Sequence, residues 1–254
     1  MKKMKTWMLV GILLCGGWCC TQAQLISPPP LISPNPTEEP RTYLLTEDLS
    51  DPLVWMVAPP DSTSSAFGYD VNQYMWGKEQ RKNQDRADMA TRDADYSIQT
   101  IMNEFSAAFG LQLSEEGTPA IHRVLKKGCE TIDLICQEIK RYYLRRRPFM
   151  VFKEPTLAPW DEEHLSKNGS YPSGHTILGW SATLILTQIN PDAADALSNR
   201  GYEFGQSRVI SGFHWQSDVN AGRVLTGAAV ARLYACPEYM ADIVAARQEF
   251  LEKK

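Results

Sequence analysis

Four histidines occur in this chain of 254 residues, and two of them keep company suited to nucleophilic and proton-transfer chemistry. His214 lies in Ser207-Arg208-Val209-Ile210-Ser211-Gly212-Phe213-His214-Trp215-Gln216-Ser217-Asp218. If the chain is helical from Trp215 onward, His214 and Asp218 stand at i and i+4 on one face. A carboxylate beside an imidazole fixes the tautomer and steadies the positive charge the ring acquires as a nucleophile. His175 closes Tyr171-Pro172-Ser173-Gly174-His175, where Pro and Gly bend the backbone and Ser173 can open a helix. Backbone N–H groups at a helix start favour an anion, so a histidine placed there meets a bound phosphate.

Cations complete the pattern. Lys140 and Arg147 are seven residues apart near the end of a long helical stretch, and one helical face would present both before Pro148 forces the chain out of helix. With Arg208 they make three cations able to surround one phosphate, Arg as a planar fork of donors and Lys as a point charge. Each piece alone has a bland reading: a packing pair, a capped turn, a basic helix end answering the helix dipole. Their order and spacing in one chain carry the argument. The chain is acidic overall, with a formal net charge of −4, which argues against nucleic-acid binding and makes the run Arg145-Arg146-Arg147 informative. No paired carboxylate–histidine pattern of a two-metal site is visible, so neither metal nor cofactor is expected.

Lys140, six residues, Arg147-Pro148; Pro172-Ser173-Gly174-His175; Ser207-Arg208, five residues, His214, three residues, Asp218: this resembles the three-part signature shared by bacterial non-specific acid phosphatases, lipid phosphate phosphatases and vanadium haloperoxidases. Lys167 to Thr176, Gly205 to Val209 and His214 to Asp218 are similar to the class A bacterial acid phosphatases, and the likeness runs from about Ser65 to the C-terminus. The resemblance implies an all-α, single-domain helical bundle and hydrolysis of small phosphomonoesters with broad specificity, without a metal. It implies that His214 attacks phosphorus to form a phosphohistidine, that Asp218 orients it, and that His175 protonates the leaving oxygen. Lys140, Arg147, Arg208, Ser173 and the Gly174 backbone N–H would hold the phosphate oxygens. A homodimer and phosphotransfer to alcohols are further implications. The alternatives are a vanadium-dependent haloperoxidase, for which the 23 residues between Pro148 and Pro172 leave little room to elaborate a halide pocket, a membrane lipid phosphatase, and a catalytically inactive phosphate-binding module.

The elements that must position these residues read as helices. Thr118 and Pro119 start one whose apolar residues, Ile121 through Tyr143, recur at steps of three and four. Ile101–Phe109 continues an earlier helix that Gly110 can close, and Asn190-Pro191-Asp192 and Cys236-Pro237-Glu238 start two more. Ile177–Ile189 and Val224–Ala235 are too short or too polar to span a membrane and read as core helices. Residues 1–23 have a basic start, a short apolar stretch and a small-x-small site, the pattern of a signal peptide cut after Ala23 for a periplasmic or secreted protein. A lipid anchor on Cys15, Cys19 or Cys20 is the weaker alternative. Removal of the signal peptide loses three lysines and no acids, taking the net charge from −4 to −7. Residues 24–42 form a proline-rich tail and residues 43–254 the helical catalytic domain. Cys129, Cys136 and Cys236 remain and are expected as buried free thiols, the first two too far apart along one helix to bridge. His122 and His164 are assigned solvated or locally bonded roles, the latter in an acidic loop. Trp180, Trp215, Tyr142 and Tyr143 are expected in the core, and Tyr69, Tyr74 and Trp76 at a pocket rim.

Overall fold

A computed structural model describes residues 41–254; the expected signal peptide and nearly all of the proline-rich tail lie outside them. The described residues are helical and contain no strand. In chain order the helices are α1 (Pro52–Trp55), α2 (Ser65–Gln80), α3 (Gln84–Arg92), α4 (Ile98–Phe109), α5 (Pro119–Tyr143) and α6 (Pro148–Phe152). They continue with α7 (Glu162–Ser166), α8 (Gly174–Ile189), α9 (Ala194–Ile210), α10 (Gln216–Leu233) and α11 (Pro237–Lys253). No helix among them is long and apolar enough to cross a membrane.

Helix α8 sits at the centre, packed on α5, α9, α10 and α11. Its sequence explains the place: Ile177, Leu178, Ala182, Ile185, Leu186 and Ile189 bury a broad apolar face, and the small or hydroxyl-bearing Thr176, Gly179, Ser181 and Thr183 let neighbouring helices cover much of the rest. Helix α5, by contrast, buries one stripe (Ile121, Val124, Leu125, Ile132, Ile135 and Ile139) against the same core. Cys129, Cys136 and Cys236, the cysteines among the described residues, are buried free thiols. A smaller apolar cluster of Ala94, Phe149, Ala158 and Phe213 lies apart from the main core.

Several local expectations change. Helix α5 starts at Pro119, but the Thr118 hydroxyl bonds back to Ser114 O at 2.8 Å instead of capping. The open N–H groups of Ala120 and Ile121 donate to the Glu249 carboxylate of α11, at 3.3 and 2.9 Å. The α5 face does not carry both cations: the helix stops at Leu144, a residue in the left-handed region at φ 46°, and Arg147 is the N-cap of α6. Asn190-Pro191 leads through a 3-10 turn, Pro191–Ala193, into α9. Val224 is exposed, so α10 has an outward face. Tyr142 is exposed and Tyr143 and Trp180 half-buried, leaving Trp215 as the buried member of that group.

Candidate active site

The two signature histidines and two of the signature cations, Lys140 and Arg147, line one cavity of about 680 Å³, with Gly174 at its base. Each comes from a different segment. Ser173 opens α8, its Oγ accepting from Thr176 N at 3.3 Å, and this sets His175 in the first turn of the helix. Ser173 N donates to Asp218 O at 3.0 Å, which ties the start of α8 to the start of α10. Lys140 ends the straight part of α5, and the Leu144 turn sends the chain around so that Arg147 comes back to it. Both meet at Gly169, whose carbonyl accepts from Lys140 Nζ at 2.9 Å and Arg147 Nη2 at 3.3 Å. A Cβ at Gly169 would strike the Lys140 carbonyl, so only glycine lets these backbones approach.

His214 stands on the loop between α9 and α10. Gly212 turns that loop with φ +86°, and Arg81, the C-cap of α2, braces it by donating Nε to Ile210 O at 2.6 Å. The ring is held at both nitrogens. Nδ1 lies 3.3 Å from Asp218 Oδ2 and Nε2 lies 2.9 Å from Arg147 Nη1. A guanidinium can only donate, so Nε2 presents its lone pair and Nδ1 carries the proton toward Asp218. Asp218 is fully buried; Oδ2 also accepts from Ser170 Oγ at 2.5 Å and from Trp215 N at 2.9 Å, which caps α10. His175 is fixed from the other side: its Nε2 lies 2.8 Å from the Ala94 carbonyl and can only donate there. Nδ1 is therefore the nitrogen left for exchanging a proton with a bound molecule.

Charge in the cavity is one-sided. Burial first, then Arg147, pushes His214 well below its ordinary range, and burial followed by Arg208 does the same to His175. Burial also brings Lys140 down to about 8, with Arg147 adding to the fall. Arg208 is the extreme case. It is fully buried over the Phe213 ring, 4.6 Å from its centroid, and none of its three guanidinium nitrogens has a hydrogen-bond partner among the described residues. Buried polar groups are nearly always satisfied, so three such cationic donors, coupled to His175, His214 and Arg147, could receive an anion with several acceptor oxygens.

Of the sequence-expected residues, His214, His175, Lys140, Arg147 and Gly174 line the cavity; Asp218 stands behind the His214 ring, Arg208 is buried within electrostatic reach of His175 and Arg147, and Ser173 is the N-cap just before Gly174. Ser173 is engaged as a cap, its oxygen also accepting from Thr176 Oγ1 at 3.0 Å. The rim is different from the expectation: Tyr74 is buried on Glu154, 2.6 Å away, and neither Tyr69 nor Trp76 lines the cavity. Tyr96 and Trp160 do, Tyr96 standing edge-on to His175 at 4.9 Å. His164 belongs to helix α7, not to a loop, and faces the same cavity. His122 keeps its local reading, 3.9 Å from Glu115. Sequence reasoning missed Ser170, Asp70 and the part played by Arg145. Ser170 stands two residues before the Pro-Ser-Gly-His run, and that proximity was the one available signal.

A family model described as the PAP2 superfamily matches residues 129–241, the span that carries all three signature parts. A non-specific acid phosphatase of Providencia stuartii is 39% identical over 97% of this chain and 98% of its own. One from Salmonella typhimurium is 39% identical over 78% of this chain and 80% of its own, and an acid phosphatase of Zymomonas mobilis is 36% identical over 80% and 76%.

Proposed function

We propose a reaction for this site from one premise: the chain belongs to the class A bacterial non-specific acid phosphatases of the PAP2 superfamily. It is an acid phosphatase acting on phosphomonoesters. The observation that carries the mechanism is the buried Arg208, without a hydrogen-bond partner among the described residues and electrostatically coupled to Arg147 and both histidines, which with Lys140 and Arg147 would form a cationic cradle. In the first half-reaction His214 Nε2 attacks phosphorus in line. The N–P bond forms as the ester P–O bond breaks, and the departing oxygen takes a proton from His175 Nδ1. Asp218 holds the Nδ1–H of His214 and steadies its positive charge. In the second half-reaction water attacks phosphorus, gives its proton to His175, and the N–P bond breaks to release inorganic phosphate. The three cations, with Ser173 and the Gly174 N–H at the helix start, match the charge spread over the phosphoryl oxygens. An alcohol in place of water would give phosphotransfer through the same intermediate.

The reaction is written without a metal. Among the described residues no three His, Cys, Asp or Glu side chains gather as ion ligands, and the cradle's cations fill the electrostatic role a metal would have. No specific observation favours the haloperoxidase or the inactive-module reading. Hydrolysis of a chromogenic phosphomonoester by the mature protein tests the proposal: activity should survive a chelator and be lost to vanadate, and loss to the chelator would overturn metal independence. Export to the periplasm or medium after cleavage at Ala23 and a homodimeric state belong to the same proposal. The mass of the mature chain from the exported fraction and light scattering test them.

A further inference from the structure

Arg145 takes no part in the reaction above, yet it is among the most tightly held charges beside it. Its guanidinium bridges two fully buried carboxylates: Nη2 lies 2.7 Å from Asp70 Oδ2 and Nη1 2.5 Å from Asp218 Oδ1. Nη1 also donates to Ser217 Oγ at 2.7 Å, and the guanidinium centre lies 5.6 Å from the centroid of the Trp215 ring. Asp70, on α2, is fixed in turn by Ser217 N at 2.8 Å and Ser217 Oγ at 2.6 Å. A chain of buried contacts thus runs Asp70–Arg145–Asp218–His214, joining α2, the loop after α5, and α10.

A lone buried carboxylate would draw a proton onto His214 and hold it as imidazolium, which has no lone pair for phosphorus. Here the carboxylate is already answered. Oδ1 faces Arg145, while Oδ2 is shared by Ser170, Trp215 N and His214, and the imidazole contact is the longest of these at 3.3 Å. We propose that Arg145 is a positioning residue for the reaction: by taking up the charge of Asp218 it leaves His214 an orienting acceptor without a counter-ion, so Nε2 keeps its lone pair in acid. Asp70 sets how much of the guanidinium Asp218 receives. Of the other groups around His214, Ser170 favours the protonated ring, while the charged ones act with Arg145 or lie further out: Lys140 from α5, Arg147 at α6, His175 from α8 and Arg208 from α9, with Asp95 and Tyr96 before α4 and Asp161 and His164 at α7 along the cavity wall. Arg145 is distinguished from those charged groups by touching Asp218 itself.

The inference rests on His214 as the nucleophile, and its test reads the imidazole without turnover. NMR titration of the ring nitrogens of His214 in the mature protein should show Arg145→Met raising the His214 pKa by about one pH unit or more. The acid limb of kcat/KM should move upward with it. Asp70→Asn, which releases the whole guanidinium to Asp218, should give no upward shift. Arg145→Lys should keep the pKa near that of the parent, yet lower kcat more than it changes KM, because the two-carboxylate fork is lost. Upward shifts in both Arg145→Met and Asp70→Asn, or none in Arg145→Met, would overturn the proposal. If Arg145→Met does not fold, an upward shift in Asp70→Asn or Arg145→Lys overturns it alone. Failure to trap a phosphohistidine would instead overturn the nucleophile assignment and leave the titration result standing.

Discussion

At the scale of the residue, a buried cation is costly. Among the described residues Arg208 has no hydrogen-bond partner, so little there offsets its desolvation. Arg208→Met should therefore raise the melting temperature of the anion-free protein while abolishing the stabilisation that phosphate gives; an unchanged response to phosphate would contradict its role. The histidines give a pH signature. Both are held well below their ordinary range, so between that range and their folded values the unfolded chain binds protons that the folded chain does not. Stability is then complete above about pH 6.5 and falls as pH drops, by about 1.4 kcal/mol per pH unit for each histidine. Urea unfolding at stepped pH checks this, and bound phosphate should shrink the loss by giving His175 a counter-ion. With His175 neutral in the free enzyme, the leaving-group proton arrives with the monoanion of the substrate, whose second ionisation lies near ~6. Accordingly kcat/KM should decline above that pH. The residues that gather at the cavity were readable in the sequence because their motifs are local. Asp70, Tyr96 and the part played by Arg145 were not readable, since Asp70 lies 75 residues from Arg145 and meets it only in the fold.

At the scale of the element, short loops aim the chemistry. Gly212 takes φ +86° just before His214, and a Cβ there would strike Arg81. Gly212→Ala should lower kcat by displacing the nucleophile, with KM less affected, whereas equal kcat would show that the turn is not needed. Glu249 of α11 supplies the cap that Thr118 does not, so Glu249→Ala should cost about 1 kcal/mol in a urea melt and leave kcat unchanged. Helix periods and most ends were legible in apolar spacing, Pro and Gly. The end of α5 was not: Leu144 adopts the left-handed conformation without the glycine that usually marks it. That hidden turn is why Lys140 and Arg147 seemed to share a helical face and why they meet at Gly169 instead. The Glu249 cap was equally invisible, arriving from 129 residues away.

At the scale of the whole molecule, the bundle serves as a rigid frame that gathers cations in an acidic chain. Helix α8 carries His175 from the centre of the core, α5 brings Lys140, and α9 and α10 flank the loop of His214. Binding of an anion to this frame should raise its stability by about 2.7 kcal/mol at a hundredfold excess over Kd, measurable as a phosphate- or vanadate-dependent rise in melting temperature. Sulfate and phosphate giving no rise at all would deny the cradle. The all-helical class was readable from the sequence because no alternating β-branched run competes with the helical periods. The central claim concerns one bond, between His214 Nε2 and phosphorus, and rapid acid-free quenching of the enzyme during turnover of a phosphomonoester tests it most directly. Peptide mass mapping should then find an acid-labile, base-stable phosphoryl group on His214, absent in His214→Ala together with activity. A phosphoryl group on another residue, or full turnover by His214→Ala, would contradict the account.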